Sequence, residues 1–426
     1  MGSVKYAAHR NLVDFGIFAQ TVASAWGCFC NPIEGSHWAY HFSPILYPVA
    51  IAFAAIRTPL TLVTLQAVAG ALVAPPIYAL VRARSGVLAG RLAATVAWLY
   101  PPLAGLIFGD FHENGFAPAA VAWTVYAFDS ERLGLALSGA LVTLCIKEDQ
   151  AVFLAIAGGL SAWRYRGTQR GAVAAAIAIV SLAVLVAFFA LIRPHAAVAA
   201  APWQPERFYA WGAPLSSSVP AEIAARLGFL LLIFVPLLFL PFRSRAMWVA
   251  AAPLGEVLLS RMPTTFTLGT HYAGAWIGYV MAAFAFAVRK LPPRRARTIL
   301  AVCAGLCILE LAVADPLHPG LNLRRPQARD VALGRFLRTL PRDANVATQE
   351  EAYTHLAAVD PYAQLVPESP TEPVEACLVL LDWSFPQSPR LQEYGAAFLA
   401  AMREGRYIRI AASDGIALYR RVGACR

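Results

Sequence analysis

Long apolar runs separated by short polar connections occupy the first three quarters of the chain. Runs at 59–81, 92–109, 116–128, 133–146, 151–163, 172–192, 227–242, 246–260, 272–288 and 299–314 are nearly free of charge at their centres, with Glu256 and Glu310 the main exceptions. A helix needs about 20 apolar residues to cross a bilayer, so these runs predict about ten transmembrane helices, several drawing on flanking polar residues for length. A shorter run at 45–56 ends at Arg57 and Pro59, which predicts a helix lying along the membrane surface. After position 314 the pattern changes. Stretches at 345–349, 378–382, 407–412 and 416–421 read as strands, the last two closing a hairpin around Ser413-Asp414-Gly415, and 390–403 reads as an amphipathic helix. The expected fold is an α-helical polytopic membrane protein with a small C-terminal α/β domain. It divides into an N-terminal loop region (1–58), a transmembrane domain (59–314) and an external domain (315–426).

Composition changes the picture only by confirming the class: 58% hydrophobic and 14% charged residues over 426 positions exclude an ordinary soluble protein. Orientation comes from the basic residues. Arg82, Arg84, Arg91, Arg132, Arg164, Arg166, Arg170, Arg243, Arg245, Arg289, Lys290, Arg294, Arg295 and Arg297 fall in every second connection, which makes those connections cytoplasmic. Topology thus explains much of the formal charge of +10, and nucleic acid is not needed as a partner. The C-terminal domain is then external. Residues 1–11 lack the apolar core of a cleavable signal, and a helix preceding the chain's first residues is expected.

The alternate, external connections collect the polar chemistry: Asp110-Phe111-His112-Glu113, Lys147-Glu148-Asp149 and His271-Tyr272. Ionisable groups at membrane depth are costly and mark sites. Asp110, His112 and Glu113 offer oxygen and imidazole ligands for a divalent ion such as Mg²⁺ or Mn²⁺. Lys147 offers a point charge for a phosphate, with Glu148 and Asp149 orienting it. Each has a structural reading too: polar residues ending a helix, an internal Lys147–Glu148 salt bridge, a cap at His41, an interfacial Tyr272. Cys377 and Cys425 share the external domain and are candidates to pair. Cys28-Phe29-Cys30 lacks a second cysteine pair for zinc. Cys145, Cys303 and Cys307 lie in apolar runs and read as packing residues.

The segment Val13-Asp14-Phe15-Gly16-Ile17-Phe18-Ala19-Gln20, followed by His41-Phe42-Ser43-Pro44, Asp110-Phe111-His112, Lys147-Glu148-Asp149 and His271-Tyr272, resembles domain of unknown function 2079. That is a bacterial family of polytopic membrane proteins. The stretches around Asp343-Ala344-Asn345-Val346-Ala347 and Val379-Leu380-Leu381-Asp382 extend the resemblance over nearly the whole chain. The family is similar in layout to GT-C glycosyltransferases, which use polyprenyl-phosphate sugars at the outer face of the membrane. Two departures stand out: Ala19 replaces a second family acid, and the family's preceding helix is missing.

The resemblance implies a transferase in the bacterial plasma membrane, with membrane lipid, a polyprenyl-phosphate sugar and an unidentified acceptor as partners. It makes Asp14 the base, with Glu148 and Asp149 as further catalytic acids and Gln20, His41, Lys147, His271 and Tyr272 contacting substrate. Asp14 also reads as a helix cap or a solvated loop residue. Two other classes compete: a transporter or flippase, for which charge near span centres and repeats are expected, and a non-catalytic scaffold, which needs none of the clusters.

Overall fold

The computed structural model describes residues 1–196, 208–209, 218–314, 316–317, 325–341, 344–366, 374–383 and 398–423. Cys425, most of the expected 390–403 helix and most of the 193–222 connection lie outside the described residues, and with Cys425 goes the proposed Cys377–Cys425 pairing. The chain forms two compact units.

One unit gathers Met1–His37, Tyr47–Val63 and His318–Arg426, so the N-terminal stretch 1–58, apart from Trp38–Leu46, clusters with the C-terminal residues. Its sheet has five strands, in the order Gln364–Leu365, Val346–Thr348, Leu378–Asp382, Ile416–Arg421, Tyr407–Ser413. The first two neighbour pairs are parallel and the last two antiparallel. Asp414 and Gly415 close the expected hairpin with φ of 50° and 86°, the two left-handed residues that a tight twisted turn requires. The helix Val13–Ala23 packs on the helix Glu350–Leu356 through Gly16, where a Cβ would stand 2.3 Å from the Tyr353 ring. One turn on, Gln20 lies on the same face. Its amide donates to the carbonyls of Ala363 (2.8 Å) and Asp360 (3.2 Å) and accepts a short hydrogen bond from the Tyr353 hydroxyl. Cys28 and Cys30 form a disulfide in this unit.

The other unit comprises Trp38–Leu46 and Thr64–Leu317. Helices cover every one of the apolar runs. Three of the described helices, Leu60–Ser85, Gln169–Ala196 and Pro293–Val313, are long and apolar enough to cross a membrane, and a fourth span arises if Val87–Leu99 and Pro101–Phe108, bent by 48°, count as one. The rest fall short by that measure. The run at 45–56 forms a short helix, Leu46–Ala55, which belongs to the first unit from Tyr47 on. The core is built around Ile277–Val288, buried on nearly all sides, as an all-round apolar helix must be. Tyr100, Trp276 and Phe284 are fully buried here, and the Tyr100 hydroxyl donates to the Ile233 carbonyl at 3.1 Å. Cys303 and Cys307 pack in the same core, while Cys145 is half-buried.

Candidate active site

The site lies in the second unit, where three irregular segments and one helix start converge. The helix Pro101–Phe108 ends just before the Asp110 turn, leaving carbonyls that its own ladder cannot use. Gln66, buried in the helix Leu60–Ala71, takes them: its Nε2 donates to the carbonyls of Leu106 (3.3 Å), Ile107 (3.2 Å) and Asp110 (3.2 Å). Its Oε1 accepts the His112 N–H at 3.0 Å. One glutamine therefore sets the height of His112. The short helix His271–Ala275 meets this turn closely, because a Cβ on Gly274 would lie 2.3 Å from the Asn114 carbonyl. That approach stacks His271 on His112, with ring centroids 3.8 Å apart and planes 8° from parallel. Tyr272 follows with its ring 4.0 Å from that of His271.

The third segment holds His41. Its backbone is tied down by Ile45 N–H donating to the Cys145 carbonyl at 2.8 Å, at the end of the helix Leu133–Leu144. Glu148, in the first turn of the helix Glu148–Arg164, does the rest. One carboxylate oxygen lies 3.0 Å from His41 Nδ1 and the other accepts the Phe42 N–H at 2.9 Å. Lys147 caps this helix in extended conformation. Lys147 is 8% exposed, and its ammonium forms neither hydrogen bond nor ion pair among the described residues, so the internal Lys147–Glu148 salt bridge does not form; Glu148 is committed to His41.

Charge is distributed unequally over these groups, all of which precede the apolar stretch 151–163. Burial and Lys147 oppose protonation of His41, but Glu148, by charge and hydrogen bond, with Glu113, raises its pKa. Glu148 itself is resisted by burial but drawn down to about 2 by His41, Lys147 and the Phe42 N–H. Asp149 goes the other way: burial pushes it up to about 6, Lys147 resists, and Glu148 and Glu113 add to the rise. Burial would lower Lys147, yet Asp149, Glu113 and Glu148 hold it above the usual ammonium range. Two adjacent carboxylates thus titrate far apart, Glu148 at about 2 and Asp149 at about 6, the arrangement that separates a positioning group from a proton-transfer group.

His112 and Glu113 form a buried pair, Nδ1 to Oε2 at 2.9 Å. The same Nδ1 is 3.3 Å from the Asn114 nitrogen, and a single nitrogen cannot donate to the one and accept from the other. Burial drives the ring down to about 3, with Glu113 resisting and His271 adding to the fall. A neutral ring with its proton on Nδ1, donated to Glu113, fits the shorter contact. Burial works to keep Glu113 protonated, but His112, Lys147 and His41 outweigh it and leave the carboxylate ionised.

Asp110, His112 and Glu113 are the trio expected to hold a divalent ion; among the described residues no group of three or more His, Cys, Asp or Glu side chains is arranged to hold a metal ion. His112 Nδ1 is engaged by Glu113. Several polar atoms of the cluster instead lack any hydrogen-bond partner among the described residues: Glu113 Oε1, Asp149 Oδ1, both ends of the Gln150 amide and the Tyr279 hydroxyl. Buried polar groups are rarely left so.

The structure therefore brings together His41, His112, Glu113, Lys147, Glu148, Asp149, His271 and Tyr272. Gln20 lies in the other unit, where its amide bonds Tyr353, Asp360 and Ala363. Asp14 also lies in that unit, in the first turn of Val13–Ala23. The sequence reading missed Gln66, Gln150 and Tyr279, though a glutamine inside an apolar run was a visible signal. Glu256, noted only as an exception, feels the charges of Asp149, Lys147 and Glu148.

A family model described as predicted membrane protein, DUF2079, matches residues 9–418. The chain belongs to this family. No curated protein gives a significant sequence match. Among solved structures, ArnT from Cupriavidus metallidurans bound to undecaprenyl phosphate matches with a TM-score of 0.61 at 12% identity, covering 99% of this chain and 97% of that one. Its apo state matches at 0.60, with 12% identity and 99% and 96% coverage. The Archaeoglobus fulgidus oligosaccharyltransferase with Zn and sulfate gives 0.42 at 13% identity, over 95% of this chain and 67% of that one, too low to carry an argument. At such identities the ArnT likeness shows the fold alone.

Proposed function

We propose that the chain is a GT-C-type membrane glycosyltransferase that moves a sugar from a polyprenyl-phosphate donor to an acceptor at the external face of the bacterial plasma membrane. The observation that carries this reading is Lys147: a buried, unpaired ammonium at a helix N-terminus, ringed by one acid tuned near neutrality and one locked in place. A helix N-terminus and a cation together are an anion site.

In the reaction the acceptor hydroxyl attacks the anomeric carbon and the bond from that carbon to the phosphate oxygen breaks. Asp149 takes the hydroxyl proton, and Lys147 neutralises the charge gathering on the departing polyprenyl phosphate. Glu148 holds His41 and the 41–42 backbone, and the stacked His112 and His271 form one wall. Asp14, the base by family resemblance, is the competing assignment. No step is routed through a metal.

The orientation follows the basic connections, with the C-terminal domain external and about ten spans in the membrane. A transfer assay in membranes with polyprenyl-phosphate sugars tests the reading: turnover with the wild type and none with Lys147→Met supports it, and equal turnover sinks it. The broken helix pair Val87–Leu99 and Pro101–Phe108 is a feature transporters share. Lipid movement across vesicles without sugar transfer would favour that class instead.

A further inference from the structure

A second polar feature lies at the opposite end of the helix Glu148–Arg164. A cavity of about 990 Å³ is lined along this helix from Leu154 to Arg164, a run of about 15 Å at the helical rise. Its volume is at the upper end of ligand pockets. The walls are apolar, with Val121, Leu154, Ala282 and Phe286 among them. The polar part of the lining is nearly all of one sign: six cationic side chains, Arg164, Arg166, Arg170, Arg245, Arg289 and Lys290, against one acid, Asp129.

That acid is already used. Asp129 pairs with Arg289 through both oxygens, at 2.5 and 3.0 Å. Arg170 bonds Glu131 and the Phe128 carbonyl, each at 3.2 Å, yet its Nε is buried without a partner. Lys290 donates to the Arg243 carbonyl at 3.1 Å. The side chains of Arg164, Arg166 and Arg245 form neither hydrogen bond nor ion pair among the described residues. Beside them, Trp163 and Trp248 are 71% and 76% exposed, as tryptophans at the membrane interface are.

We propose that this cavity binds an anionic phospholipid of the surrounding bilayer, its phosphate held by the unpaired arginines and an acyl chain laid along the apolar walls. Guanidinium forks match phosphate oxygens in pairs. The site lies on the face of the basic connections, where the anionic leaflet is, and basic pockets between helices on that face are where such headgroups bind. None of the acids around Asp149 lines it, and Tyr279 is the one residue of that cluster that does.

The test uses the full chain purified in a neutral detergent, titrated with phosphatidylglycerol and followed by native mass spectrometry. Phosphatidylcholine and undecaprenyl phosphate serve as comparison lipids. Phosphatidylglycerol should be retained in preference to phosphatidylcholine, and R164A/R245A should weaken it about 30-fold, the worth of two surface cations. Ser161→Trp, which fills the cavity without touching a charge, should weaken it as well. Both variants should melt at the wild-type temperature in lipid-free detergent. Unchanged phosphatidylglycerol affinity in both variants, or equal retention of phosphatidylcholine, overturns the proposal. Displacement of phosphatidylglycerol by a smaller amount of undecaprenyl phosphate overturns the choice of occupant.

Discussion

Glu148 and His41, 107 residues apart in the chain, meet at 3.0 Å, and the other oxygen of Glu148 takes the Phe42 N–H. Both side chains are mostly buried, so screening by water is modest and the pair fixes a loop against a helix start. Glu148→Gln should destabilise the protein by about 2 kcal/mol, the worth of a charge-assisted hydrogen bond, read as a lowered melting temperature in detergent. The pH dependence has a definite sign. Glu148, depressed to about 2, contributes stability above its unfolded value of about 4.3, lost as pH falls towards 2. His41, raised, contributes below its unfolded value near 6.5, lost as pH climbs through the higher folded value. The variant should flatten both limbs; unchanged limbs would separate the pair from stability.

Asp149 should reveal itself in the pH profile of turnover. With its pKa at about 6, the ionised base fills as pH rises through 6, so kcat should climb tenfold per unit below that point and level above it. Asp149→Asn should lose roughly 10²–10⁴-fold in rate and abolish that limb. If Asp14→Asn does this instead while Asp149→Asn turns over normally, the base is Asp14.

Lys147→Met removes the unpaired ammonium while keeping the stem that packs it. Donor affinity should fall about 10- to 100-fold, as the loss of a charged hydrogen bond to phosphate implies. Lys147→Arg should recover part of it. Equal binding of a polyprenyl phosphate to wild type and Lys147→Met, measured by titration, would remove the lysine from donor recognition.

Gly16→Ala places a methyl group 2.3 Å from the Tyr353 ring, so the helix Val13–Ala23 has to move off its partner. A cost of about 1–3 kcal/mol is expected for such overpacking, seen as faster proteolysis of the C-terminal domain. Shortening the partner with Tyr353→Ala in the same chain should make the added methyl nearly silent; an undiminished penalty there would locate the strain elsewhere.

Chelation should leave turnover intact, because the phosphate charge is met by Lys147 and a helix N-terminus. Activity lost in excess chelator and restored by Mg²⁺ would put a metal back on the His112 and Glu113 side of the cluster.

The sequence by itself determined what depends on neighbouring residues. Apolar runs set where helices form, because crossing lipid or filling a core needs continuous apolar length. The hairpin was legible since Asp414 and Gly415 are residues that accept positive φ. Lys147-Glu148-Asp149 and His112-Glu113 stood out because charge beside apolar runs is expensive. Only the tertiary structure decided partners. Gln20 and Tyr353, 333 positions apart, turn part of a family motif into an internal lock, and Gln66 holds the His112 turn from 46 positions away. The separation of Glu148 from Asp149, one paired low and one raised, likewise arose from burial and from which group each one faces. Those quantities are set by how distant segments pack, and a linear pattern carries no record of them.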